Sequence, residues 1–368
     1  MLASLADLLP RFAEREASDP ESYPGENVAD LYAAAIPGAP FPRRLGGEAA
    51  TCRQATEAIE AIATASPSLA LLASMPLGLA GVLALDVEGP DASWTAGHNQ
   101  AVERVAGDYR EANFYAACNS ERGAGGSLEA IKTVASRESS GVFVLTGEKI
   151  LASSGDNAAV FFSTAKVQPE DLTGAGVVEI FFVDAHAQGV SILDDWNGFG
   201  MRSTESQSVR YEAAPATALM GFPNYLEVVQ PVQYWFCLFA AIPLGCAKSI
   251  LHAIGTPAPQ SPALRLRLSE AQMRYEALRA YLLETADGFR ASAGEAYGAR
   301  VLRMKTYVTQ EATKLCAELF ALSGGRHYSR SSPVARALAD AFAGTALRPP
   351  LALGLDTLVE HFSLDQCE

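Results

Sequence analysis

The feature that most restricts the folds open to this chain is a block of β-type sequence set between two helical regions. Short runs of β-branched and aromatic residues occupy positions 142–145, 159–162, 177–183 and 209–211. Turn-like pieces separate them: Thr146-Gly147-Glu148-Lys149, Gly155-Asp156-Asn157 and Asn197-Gly198. Short strands at this spacing predict an antiparallel barrel or sandwich. On the N-terminal side, Leu5, Leu8, Leu9 and Phe12 share one helical face, and residues 55–63 repeat small apolar residues at helical spacing. Residues 36–42 between them form a proline-rich connection that ends near Gly46-Gly47. On the C-terminal side two stripes recur, Leu264, Leu268, Ala271, Tyr275, Leu278 and Leu282, then Val301, Met304, Val308, Ala312, Leu315, Leu319 and Leu322. Such stripes imply long helices in a bundle, and the period alone leaves open whether they face a core or a second subunit. The expected organisation is α+β, with an N-terminal helical domain (1–112), a central β domain (113–220) and a C-terminal helical bundle (221–368).

Two charge-free stretches, 61–85 and 228–247, are long enough to span a bilayer. The first contains Pro67, Pro76, Gly78 and Gly81, and the second Gln230, Pro231, Gln233, Pro243 and Gly245. Lipid tolerates such interruptions only where neighbours satisfy the freed backbone, so both are expected to be buried helices and not membrane spans. A formal net charge of -14 excludes a general nucleic-acid binder, which needs a basic face for phosphates. The six cysteines (Cys52, Cys118, Cys237, Cys246, Cys316 and Cys367) show no metal-ligand spacing. They are read as reduced thiols in a cytoplasmic protein with no metal centre. The first residues lack the basic start and apolar core of a signal peptide.

The chemistry is concentrated in three ordered motifs. Cys118-Asn119-Ser120-Glu121-Arg122-Gly123-Ala124-Gly125-Gly126-Ser127 is a glycine-rich loop that lets backbone approach a flat or phosphorylated ligand. Gly147-Glu148-Lys149-Ile150-Leu151-Ala152-Ser153-Ser154-Gly155 follows, and then Gly198-Phe199-Gly200-Met201-Arg202-Ser203-Thr204. In order and spacing these resemble the acyl-CoA dehydrogenase superfamily, with its Thr-Glu-Pro-Gly-Ala-Gly-Ser-Asp, Gly-Glu-Lys-x-Trp-Ile-Thr-Asn-Gly and Gly-Met-Arg segments. Residues 31–47 and the run from Ser323-Gly324-Gly325 through Arg336 to Asp340 resemble the family's terminal segments, so the likeness covers nearly the whole chain. It implies a central antiparallel β-barrel, a C-terminal four-helix bundle, FAD as cofactor, an acyl-CoA or related small-molecule substrate, and a homodimer or homotetramer.

Carried over residue by residue, the resemblance implies flavin contacts at Ala117, Asn119, Ser120, Gly125, Gly126, Leu151, Ala152, Ser153, Gly324, Gly325 and Thr345. It implies substrate contacts at Gly126 and Gly344. Ser120 takes the place of a family threonine, and Ser153 keeps a hydroxyl for flavin N5. Leu151 replaces the tryptophan that covers the ring. The family's dehydrogenation needs a carboxylate within hydrogen-bond reach of the substrate α-proton. One family position for this Glu, before Gly344-Thr345, is Ala343; the other, on the first C-terminal helix, is Trp235. The Arg-x-x-Phe-Gly that reaches the FAD phosphate has no counterpart in residues 254–263. Glu121 belongs to the loop fold, Asp340 to a structural Arg–Asp pair, and Asp356 and Glu360 to the solvated surface. Of five histidines, His327 lies nearest the expected flavin region. Three readings follow: acyl thioester α,β-dehydrogenation with an unplaced base, a flavin-dependent monooxygenase of the same fold, or a non-catalytic homologue.

Overall fold

The computed structural model describes residues 1–360. Five helices come first: α1 (Leu2–Ser18), α2 (Gly25–Ala33), α3 (Cys52–Ala65), α4 (Pro67–Leu83) and α5 (Ala92–Arg110). Their starts carry the expected chemistry. Thr51 and Gln54 form a reciprocal capping box on α3. Ser66 caps α4 with Pro67 in its first turn, and Asp91 caps α5 through the amides of Ser93 and Trp94.

Seven strands follow: β1 (Tyr115–Cys118), β2 (Val134–Arg137), β3 (Phe143–Ala152), β4 (Val160–Val167), β5 (Val178–Asp184), β6 (Val190–Leu193) and β7 (Gln207–Leu219). β4 pairs with β5 on one side and with β2 on the other, and the path β2–β3–β7–β5 returns to β4. The sheet therefore closes into a barrel, which removes exposed edges. It is not wholly antiparallel, because β1 and β2 both run parallel to β4. The expected turn at Thr146–Lys149 is instead the interior of β3. A register shift sits between Leu145 and Gly147, where Gly147 presses against Thr133.

The C-terminal part holds α6 (Tyr225–Val229), α7 (Val232–Gly255), α8 (Pro262–Asp287), α9 (Glu295–Leu322), α10 (Pro333–Ala341), α11 (Ala343–Ala346) and α12 (Leu351–Glu360). α7 is the central post and packs against α3, α4, α8, α9 and α10. It is the one helix among the described residues long and apolar enough to cross a membrane, and most of it is buried inside the protein. α4 is buried along its whole length. Gly78 on α4 is required by contact, since a Cβ there would lie 2.2 Å from Nε1 of Trp235 on α7. The two C-terminal stripes face the core: Ala271, Tyr275, Leu278 and Leu282 on α8 are buried, as are Val301 through Leu319 at their periodic positions on α9. Leu322 is exposed at the end of its helix. Cys52, Cys118, Cys237, Cys246 and Cys316 are buried free thiols, and Cys367 lies outside the described residues.

Candidate active site

β4 and β5 are buried on both faces, because one side fills the barrel and the other meets helices. Alternation puts Phe162, Thr164 and Ile180 on the outer side, and there Trp235 of α7 stacks on Phe162 with ring centroids 5.7 Å apart. Around this contact lies a cavity of about 340 Å³. Its walls come from the barrel, the 196–206 loop, α7 and the α10–α11 turn, and they are mostly apolar. A volume of this order lies in the range of small-ligand sites.

Five of the expected flavin contacts line the cavity: Ala117, Asn119, Ser120, Leu151 and Ser153. Leu151 reaches it because β3 bulges between Lys149 and Ala152, leaving Leu151 at φ 60° and half exposed. Gly125, Gly126, Ala152, Gly324, Gly325, Gly344 and Thr345 are outside the cavity wall. Ala152 is fully buried in the strand, and Gly344 packs against Pro243. Gly126, at φ +89°, sits where a Cβ would be 2.4 Å from Pro350, so it docks the loop onto the segment after α11. Thr345 turns its hydroxyl back to the Phe342 carbonyl. Gly324 and Gly325 have open space around them.

The loop carrying Ser120 is pinned by a buried ion pair. Glu121 accepts from Lys149 Nζ at 2.7 Å, from the Thr133 hydroxyl and amide, and from the Lys132 amide. Burial alone would raise the Glu121 carboxyl, but Lys149 and Thr133 bring it below its ordinary range. Burial lowers the Lys149 ammonium, against the pull of Glu121.

Three hydroxyls beneath the cavity form a directed chain. Thr204 Oγ1 donates to the Met201 carbonyl at 2.8 Å, which uses its only proton. The 2.7 Å contact between Ser206 and Thr204 must then have Ser206 as donor, and the 2.9 Å contact between Ser153 and Ser206 must have Ser153 as donor. Ser153 thus turns lone pairs, not a proton, toward the cavity. Thr204 closes the third motif, whereas Ser206 has no signal in the sequence beyond its place two residues after it.

Both family positions for the base, Trp235 and Ala343, face the cavity. The Trp235 indole donates to the Ser74 carbonyl at 3.0 Å. No carboxylate lines the cavity among the described residues. The expected Arg336–Asp340 pair is not formed. Arg336 donates to the Ser331 carbonyl, while Asp340 accepts from the Met201 amide at 2.6 Å and burial pushes its carboxyl up to about 7. Asp340 belongs to a neighbouring cleft behind Gly200 and Ala339. Asp356 and Glu360 are exposed on α12. His327 is held by Ser332 and Arg326, away from the cavity; His98 is buried beside Phe222 and Tyr225; His361 lies outside the described residues.

Lys305 has no signal in the sequence, and Arg348, which stands in the Arg348-Pro349-Pro350 run after Gly344-Thr345 that favours a monooxygenase, was not expected as a site residue. Lys305 Nζ donates to the carbonyls of Gly344 (3.2 Å), Leu347 (2.7 Å) and Pro349 (2.6 Å), clamping the turn after α11. Arg348, in that turn, lines the cavity and donates to the Asn119 carbonyl at 3.0 Å.

A closed barrel flanked by helices, with one apolar cavity between barrel and bundle, is an architecture with close structural parallels. Two family models match: acyl-CoA dehydrogenase, middle domain, over residues 116–214, and acyl-CoA dehydrogenase, C-terminal domain, over residues 238–347. Together they cover more than half of the sequence. The chain belongs to the acyl-CoA dehydrogenase family, a family of flavin-dependent oxidoreductases. It is 25% identical over 276 residues to the mitochondrial short/branched chain specific acyl-CoA dehydrogenase of Rattus norvegicus, covering 67% of this chain and 60% of that one. It is 26% identical over 236 residues to the dibenzothiophene monooxygenase of Rhodococcus erythropolis, covering 61% and 53%. The chain thus spans between about half and three-fifths of the length of these curated relatives. The fold superposes on KijD3 in complex with FMN and dTDP-3-amino-2,3,6-trideoxy-4-keto-3-methyl-D-glucose, with a TM-score of 0.82 and 22% identity, covering 97% and 91%.

Proposed function

We propose that this protein is a flavin-dependent monooxygenase that uses reduced FMN and dioxygen on a small, largely apolar substrate. The observation that carries this reading is the lack of any carboxylate on the cavity wall among the described residues, with Trp235 and Ala343 at the two positions where a base would stand. α-Proton abstraction needs such a group within hydrogen-bond reach, whereas oxygen transfer from a flavin does not. The relatives, at similar identity, include both a dehydrogenase and a monooxygenase, so kinship alone does not choose between them.

The residues present fit a flavin ring. Ser120 offers a polar contact in an otherwise apolar slot, and Leu151 and Trp235 supply apolar walls. When bound, the flavin supplies the redox centre that activates oxygen. The polarity of the Ser153–Ser206–Thr204 chain makes Ser153 an acceptor, which suits an N–H donor. Reduced flavin carries that N–H at N5 and oxidised flavin does not, so this side chain favours the reduced form. The apolar walls keep bulk water from the reacting atoms. FMN is preferred to FAD because residues 254–263 lack the arginine segment by which the family reaches the FAD phosphate.

The test is stopped-flow mixing of the reduced-FMN complex with oxygenated buffer. A transient absorbance distinct from both oxidised and reduced flavin is expected, and featureless reoxidation sinks the reading. The acyl thioester dehydrogenation implied by the resemblance would require Asp340 or another carboxylate to reach the cavity. Anaerobic bleaching of bound flavin by any member of an acyl-CoA panel would establish it instead. Tighter binding of FAD than of FMN would overturn the choice of cofactor.

A further inference from the structure

The cavity wall carries one charged side chain among the described residues, Arg348. Its single hydrogen bond, to the Asn119 carbonyl, leaves four of the five guanidinium N–H groups without a protein partner among the described residues. None of its nitrogens lies within ion-pair distance of a described carboxylate. Arg348 is half-buried, so its free N–H groups remain open to an anion that enters the cavity.

The surroundings sharpen this. Arg348, Lys149 and Glu121 sense one another electrostatically, which places two cations against one carboxylate. Glu121 is already committed to Lys149, Thr133 and the Lys132 amide. The cluster at this end of the cavity is therefore one negative charge short. Arg348 is also held in place before any ligand arrives, because Lys305 grips the carbonyls on both sides of it, Leu347 and Pro349. A donor fork fixed in this way is the arrangement that reads a planar anion by two parallel hydrogen bonds.

We propose that the substrate is a small apolar or aromatic molecule bearing one carboxylate, which pairs with Arg348 while its apolar body lies along the wall formed by Leu226 and the Phe162–Trp235 stack. This deepens the functional reading above and rests on it for the chemistry. The recognition step itself is a property of the cavity and is measurable without turnover.

Trp196 and Trp235 both line the cavity, so binding is read from their fluorescence in the flavin-free protein. The probes are 2-naphthoate and its uncharged isostere 2-naphthamide. A hydrogen-bonded charge pair corresponds to a preference of about 10- to 100-fold for the carboxylate. The wild type is expected to show it. Arg348→Met is expected to abolish it, and Arg348→Lys to retain part of it, with circular-dichroism melts confirming that both variants fold. Equal binding of the two probes by wild type, or an undiminished preference in Arg348→Met, overturns the proposal. A third arm separates the sources of the anion: if Arg348→Met weakens FMN but not riboflavin and leaves the naphthoate preference intact, the guanidinium serves the cofactor phosphate and the proposal fails. Because the oxygen transient is read in a separate assay, its failure would leave the carboxylate preference standing, and the reverse also holds.

Discussion

Breaking the Glu121–Lys149 pair gives the most quantitative check on how the loop carrying Ser120 is held. Lys149 is fully buried and, among the described residues, has besides Glu121 only the Thr164 hydroxyl at 3.3 Å. Glu121 by contrast keeps the Thr133 hydroxyl and two amides when Lys149 is removed. The two single substitutions should therefore be unequal. Glu121→Gln strands a buried ammonium and is expected to cost about 3–5 kcal/mol at pH 7. Lys149→Met leaves a carboxylate with three donors and is expected to cost about 1–3 kcal/mol. The double variant should be more stable than Glu121→Gln alone, because the stranded cation is gone. Raising the pH lets Lys149 fold as a neutral amine, so the Glu121→Gln penalty should shrink by up to about 1.4 kcal/mol per pH unit. Urea unfolding followed by circular dichroism at pH 7 and pH 9.5 measures all three variants. A Glu121→Gln cost below about 1 kcal/mol, or a double variant no better than that single one, would show that the pair does not hold the loop.

Three other substitutions probe separate parts of the site. Gly126→Ala combines φ +89° with a 2.4 Å approach to Pro350 and is expected to cost about 2–4 kcal/mol in urea unfolding, with weakened flavin binding. Asp340→Asn removes a carboxyl whose pKa burial raises to about 7 while keeping an acceptor for the Met201 amide. A raised acid contributes stability that is full below its unfolded pKa and is lost as pH rises through 7. The variant should therefore match wild type near pH 4 and exceed it by up to about 4 kcal/mol at pH 8; parallel stability–pH curves would refute this. Ser206→Ala frees the Ser153 proton from its chain, so the ratio of reduced-FMN to oxidised-FMN affinity should fall severalfold in titrations of both forms. An unchanged ratio would mean that Ser153 does not face N5.

Much of the fold was legible because its signals are local. The α8 and α9 stripes predicted which residues face inward, and the runs at 159–162 and 177–183 became β4 and β5. β1, β2 and β6 have four residues each, and only pairing across the barrel makes them strands. Gly147 looked like a turn residue, but its place in β3 is set by contact with Thr133, which lies on another part of the barrel. At the site, Ser120, Ser153, Trp235 and Ala343 were found through the resemblance, and all four line the cavity. Lys305 escaped notice because a single lysine beside the stripe residue Met304 has the pattern of a solvated charge. Its three carbonyl partners lie about forty residues on and come together only through the turn after α11. The direction of the Ser153–Ser206–Thr204 chain likewise depends on the Met201 backbone carbonyl, whose orientation the Gly-Met-Arg motif does not reveal in sequence.

The two missing carboxylates are unequal losses. At 235 the indole fills the space beside α4, donates to the Ser74 carbonyl and requires glycine at 78. A Trp235→Glu reversal would give up that hydrogen bond and the Phe162 stack and leave a hole against Gly78, so one substitution does not rebuild a base there. Ala343 is different: it opens α11, lines the cavity and sits on a turn already clamped by Lys305. A carboxylate introduced at 343 would share the cavity with Arg348, the one cation on its wall among the described residues, and would compete with any anionic ligand for it. An apolar side chain at 343 and a guanidinium at 348 with unpartnered N–H groups are thus mutually consistent: no charge at the position of the family's base competes with a ligand for the cation.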